Sequence, residues 1–169
     1  MRRLLARLLP AVAVAVAALV PAGTARAADG APYVRVHLDQ IIAYDLEESG
    51  HDEIFVRMYH DGSGKPFQAW PMKEGDELSV AARDCVSFRE ACPAGTNQRS
   101  GGGFYAPRYP TNLKFLYVQL WEDDLAGDDL LMNVPVGLRP ISEEQRIVEE
   151  AQIGGHHYVL KFTLTPVYL

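Results

Sequence analysis

Residues 113–131, LKFLYVQLWEDDLAGDDLL, join an apolar run to a crowded acidic turn. From Leu113 to Trp121 the run carries apolar residues on both alternating faces, as a central strand covered on both sides would. Five acidic side chains follow within eight positions, Glu122 through Asp129, before a weaker apolar run over 130–136. Pro135 in that second run suits an edge or a bulge. The acidic stretch therefore reads as a loop at one end of a sheet. Carboxylates crowded this way repel one another, so they are either solvated or waiting for a cation.

Period-two alternation extends the reading to the rest of the chain. YVRVHLD (33–39) sets Val34, Val36 and Leu38 against Arg35, His37 and Asp39. EIFVRMY (53–59) sets Ile54, Val56 and Met58 against Phe55, Arg57 and Tyr59, and YVLKFTLT (158–165) turns Tyr158, Leu160, Phe162 and Leu164 inward. DELSVA (76–81) is a weaker strand. Turns fall at 60–65 and 73–76, and the Gly-rich stretch 92–110 is expected to lack regular structure. One helix is expected: Ser142 and Gln145 form a capping box, Ile147, Val148 and Ala151 a narrow stripe, and Gly154–Gly155 a stop. The expected fold is all-β, an antiparallel β-sandwich of about seven to eight strands with one short surface helix.

The first 27 residues are read apart from that fold. Arg2, Arg3 and Arg7 precede an apolar run that closes on small residues near Ala25 and Ala27, a secretory signal peptide cleaved after Ala27. Residues 28–169 are then a single β-sandwich domain, secreted, with no transmembrane segment left after cleavage. Taking Arg2, Arg3, Arg7 and Arg26 away leaves twelve basic against twenty-two acidic residues, a net charge of −10. Such a surface repels phosphate backbones, which argues against nucleic acid, and it attracts cations. Export also places Cys85 and Cys92, the two cysteines of the chain, where a disulfide between them persists.

Catalytic patterns are sparse. No GxSxG elbow occurs, and DGSGK (61–65) is a turn. Paired acids could serve a glycosidase, but a sandwich this small leaves little room for a sugar cleft. His156 and His157 are adjacent and so point to opposite strand faces, which suits solvation better than chelation. Trp70 and Trp121 read as core. No enzyme is expected. In RSGGGFYAPRYP (99–110), Arg99, Phe104, Tyr105, Arg108 and Tyr109 are candidates for a partner-binding loop, set against local packing of the same aromatics.

The acidic turn is the stronger candidate site. In an extended entry Glu122 and Asp124 project to one side and Asp123 to the other. The chain turns at Gly127, and Asp128 or Asp129 comes back to face them. Converging hard oxygen donors are the chemistry of calcium. A second acidic loop, AYDLEESGHDEIFV (43–56), lies far off in sequence between the first two strands. The calcium reading requires both loops to lie at one end.

Together the two loops resemble the C2 domain, the calcium-and-lipid-binding module of synaptotagmins and protein kinase C. Asp45-Leu-Glu-Glu-Ser-Gly50-His-Asp52 followed by an apolar strand is similar to that family's first calcium loop. Trp121-Glu122-Asp-Asp124, a gap, and Asp128-Asp129 are similar to its second, with Glu122 in place of Asp and Met132 in place of Gly. The resemblance covers about a third of residues 28–169, and the family's lysine-rich lipid-binding strand is not evident. It implies that Asp45, Asp52, Glu122, Asp124 and Asp129 ligate Ca2+ in a non-catalytic module that bridges to a protein partner or an anionic lipid surface. The alternative is a metal-free recognition or inhibitor protein acting through the Cys85–Cys92 and Gly-rich loops. A small hydrolase is the least favoured.

Overall fold

The longest strand, β1 (Tyr33–Asp45), lies inside one of two sheets. Val34, Val36 and Leu38 face the core as their alternation requires. A register shift between Leu38 and Gln40 then re-aims the strand, so that Ile41 and Ala43 resume the inward row. One side of β1 pairs with β11 (His156–Val167). Its other side is shared by β7 (Arg108–Pro110) and, further along, β5 (Asp84–Ser87). With β10 (Gln145–Ile153) beside β11 and β6 (Asn97–Ser100) parallel to β5, the sheet order is β10-β11-β1-β5-β6.

The second sheet has the order β3 (Phe67–Trp70), β2 (Asp52–His60), β8 (Phe115–Glu122), β9 (Asp129–Gly137), with β4 (Leu78–Val80) pairing the first residues of β2. Ile54, Val56 and Met58 of β2 and Leu116, Val118 and Leu120 of β8 meet Tyr158, Leu160 and Phe162 of β11 in a single core. Fully burying an aliphatic or aromatic side chain of this kind contributes about 1.5–3 kcal/mol. The all-β sandwich is thus built by the alternation visible in the sequence. The computed structural model describes residues 30–46, 49–63, 65–124 and 127–169, so the expected signal peptide, together with Glu47, Glu48, Leu125 and Ala126, lies outside the described residues.

Four expectations change. Among the described residues there are eleven strands, and no helix stands at 142–151; that stretch belongs to β10. Ile147 and Ala151 share a face in a helix and in a strand alike, and both pack on the core as strand residues, while Val148 is 60% exposed. Gly154 and Gly155, at φ 67° and 106°, do not stop a helix but form the two-residue turn joining β10 to β11. The Gly-rich stretch supplies β6 and β7, short strands with little apolar alternation to announce them. β8 is central in its sheet, yet Tyr117 and Trp121 on its outer face are only half-buried.

Candidate functional site

Strand direction decides where the acids meet. β1 ends at Asp45, β2 begins at Asp52, β8 ends at Glu122 and β9 begins at Asp129. Ile54 pairs with Glu122, and Glu122 with Asp129. The Asp123 N–H donates to the Glu53 carbonyl at 2.8 Å, which carries the ladder one pair further and sets Asp124 level with Asp52. Asp45 pairs with His157 at the same end of the other sheet. Both acidic loops therefore lie at one end of the sandwich. Gly127 makes the return possible: at φ 129° it donates its N–H to the Asp124 carbonyl at 3.0 Å.

The five carboxylates divide into an inner pair and a rim. Asp52 and Glu122 continue the inward rows of β2 and β8 and are buried. The Tyr158 hydroxyl, reaching over from the opposite sheet, donates to Asp52 Oδ2 at 2.5 Å. Asp124 is half-buried, and Asp45 and Asp129 are exposed. As donors they suit calcium, being hard oxygens. Their placement is not closed: among the described residues, no three His, Cys, Asp or Glu side chains form a group that could hold a metal ion.

A cation already stands beside the rim. Arg57 bonds Asp128 at 2.9 Å, and its guanidinium lies 4.6 Å from the Phe55 ring centre and 5.2 Å from that of Trp121. This arginine and Tyr158 are the neighbours that sequence reasoning missed. The signal for Arg57 was present, since alternation puts it on the outer face with Phe55. Nothing local to Tyr158 points to a residue 106 positions away. Asp123, expected to face away, is exposed.

The residues of the expected partner loop part company. Arg99 donates to Asp84 Oδ2 at 3.0 Å and to the Ser79 carbonyl, bracing the start of β5. Phe104 packs against the core beside Phe88. Arg108 is exposed on β7, at the end away from the acidic loops. Tyr105 and Tyr109 line a groove of about 580 Å³ with His60, Phe67, Gln68 and Met72. Tyr105 is 53% exposed. Tyr109 is buried, its hydroxyl has no hydrogen-bond partner among the described residues, and burial, with Tyr105 nearby, raises its pKa.

Cys85 and Cys92 are joined, with their Cα atoms 5.9 Å apart. Cys85 is fully buried against Ile42 and Val159, so the bridge pins its loop to the outer face of the first sheet. Gln40 Nε2 donates to the Ala91 carbonyl at 2.5 Å, and Ser87 Oγ to that of Glu90, holding the same loop.

The chain is similar in fold to solved C2 structures. One, described as a C2 domain, has a TM-score of 0.36 at 15% identity, covering 79% of this chain and 97% of that one. Another, Drosophila C2-DSL-EGF1, has a TM-score of 0.34 at 11% identity, covering 79% of this chain and 67% of that one. No family model matches the sequence, and no curated protein does. Overlap this loose says nothing about function.

Proposed function

We propose that the chain is a secreted, non-catalytic β-sandwich module that takes calcium at its acidic end. One observation carries the reading: carboxylates from the ends of β1, β2, β8 and β9 gather at one end, with Glu122 directly across from Asp129. Asp45, Asp52, Glu122, Asp124 and Asp129 would hold the ion, which would supply positive charge to offset their repulsion and a bridge to a protein or an anionic lipid surface. With no three ligands preassembled among the described residues, the expected affinity is weak, on the order of 10⁻⁴ to 10⁻³ M as in extracellular calcium modules. Calorimetric titration of the mature domain with calcium, magnesium serving as control, tests it. Saturable heat with calcium supports the reading; its absence removes it.

A second reading, metal-free recognition, is favoured by the groove at the far end. Phe67, Met72 and Tyr105 give it an apolar lining. Under this reading calcium leaves the amide NMR spectrum unchanged, and Tyr105→Ser abolishes partner binding without unfolding the domain.

A further inference from the structure

We propose that β10 is a self-pairing edge, through which two copies of this chain join across a two-fold axis at Val148. Among the described residues β10 pairs only with β11, so its other side is an open ladder. Open edges invite a further strand, and proteins usually shorten them, interrupt them with proline or place charges on them, so that pairing there needs charges that match. The other edges follow that rule: β3 and β6 have four residues each, and β9 carries Pro135. β10 runs for nine residues without proline or glycine.

Charge complementarity names the occupant. On the outer face of β10 stand Arg146, Val148 and Glu150, 75%, 60% and 61% exposed respectively. An antiparallel pairing of two copies centred on Val148 sets each Arg146 opposite the other copy's Glu150. The two exposed valines meet between those pairs. Opposite charges directly across a ladder stabilise it and like charges oppose it. Neighbouring two-fold registers fail this test. An axis at Arg146, Glu149 or Glu150 sets a charge against itself, and one at Ile147 sets Arg146 against Val148, leaving no opposite-charge pair within the strand. Register is thus fixed by charge, and the interface is isologous, the same patch on both copies.

The bonds already present do not block the contact. Arg146 holds Glu90 at 2.6 Å, and Glu150 accepts from His157 at 2.6 Å. A guanidinium has five N–H donors and a carboxylate two oxygens, so each serves a second partner. The net charge of −10 opposes association in general, an effect that physiological salt confines to about 8 Å. An edge-only contact falls among the small, reversible interfaces.

Sedimentation equilibrium of the mature protein at physiological salt, over rising concentration, tests the proposal. The wild type is expected to shift from monomer towards dimer. Arg146→Glu and Glu150→Arg should each remain monomeric, because each variant faces itself with two like-charge pairs. Mixed in equal amounts, the two variants should dimerise again, since every pair across the axis is then opposite in sign. Unchanged melting curves would show that both variants, altered at exposed positions, are folded. A wild type that stays monomeric at every concentration would overturn the proposal. So would a dimer indifferent to Arg146→Glu, or a mixture that fails to associate while both variants are folded.

Discussion

Tyr158 on β11 and Asp52 on β2 are joined by a buried hydrogen bond of 2.5 Å that ties the two sheets together beneath the acidic loops. A hydrogen bond to a charged group contributes about 1.5–3 kcal/mol. Tyr158→Phe keeps the ring in the core and removes only the hydroxyl. It should lower the melting temperature by several degrees. A variant that melts with the wild type would show that this bond does not hold the acidic end.

The disulfide should contribute through the unfolded chain. Closing the loop from Cys85 to Cys92, seven residues apart, removes entropy worth about 2.5 kcal/mol by the loop-closure relation. Cys85→Ala with Cys92→Ala should lose about that much in a denaturant titration. A loss below about 0.5 kcal/mol would show that the loop is held by its other bonds, those from Gln40 and Ser87.

Asp84 should make stability depend on acid. Burial by itself would raise its pKa, but the Ala81 N–H, the Arg99 guanidinium and the Asn97 amide outweigh burial and hold it below the ordinary value. A depressed folded pKa contributes stability above the ordinary carboxylate pKa of about 4, and that stability is lost as pH falls through the folded value. Arg99→Ala should therefore melt well below the wild type at neutral pH, with the gap narrowing below about pH 4. A gap constant from neutral to acid pH would contradict this account of Arg99.

How far the sequence reached depends on whether the deciding interaction is local. Alternation in β1, β2 and β11 is a local property, and those strands and their inward residues are where it places them; β8, apolar on both faces, gave no such choice of face. The hairpin around Gly154 is also local, but Ile147 and Ala151 fit two periods, and only the presence of β11 as a neighbour decides between them. In the site, the gathering of both acidic loops at one end follows from strand direction. The buried pair follows from alternation, which puts Asp52 in phase with Ile54 and Glu122 in phase with Leu120; its partner Tyr158 does not, because it comes from the opposite sheet. Arg99 shows the same limit. Its sequence surroundings look like an interface loop, and its actual partner, Asp84, is contributed by another strand.

Arg57 should weaken calcium binding. It bonds Asp128, next in sequence to the proposed ligand Asp129, and places a positive charge close to the rim. At about 10 Å in water, a unit charge opposes a divalent ion by roughly 0.8 kcal/mol. Arg57→Gln should tighten calcium binding about three- to fourfold in the same calorimetric titration. Unchanged or weaker affinity would place the ion away from this loop.

The central claim is that the carboxylates at the acidic end repel one another and that calcium relieves the repulsion. Its most direct measurement is the melting temperature of residues 28–169 with and without calcium at about ten times the dissociation constant. Linkage then gives about 1.4 kcal/mol, several degrees for a domain of this size. Asp124→Asn and Asp129→Asn should each reduce that increment and modestly stabilise the calcium-free protein, while Asp123→Asn should do much less. A melting temperature unchanged by millimolar calcium would contradict the claim and leave the turn after Trp121 as solvated surface.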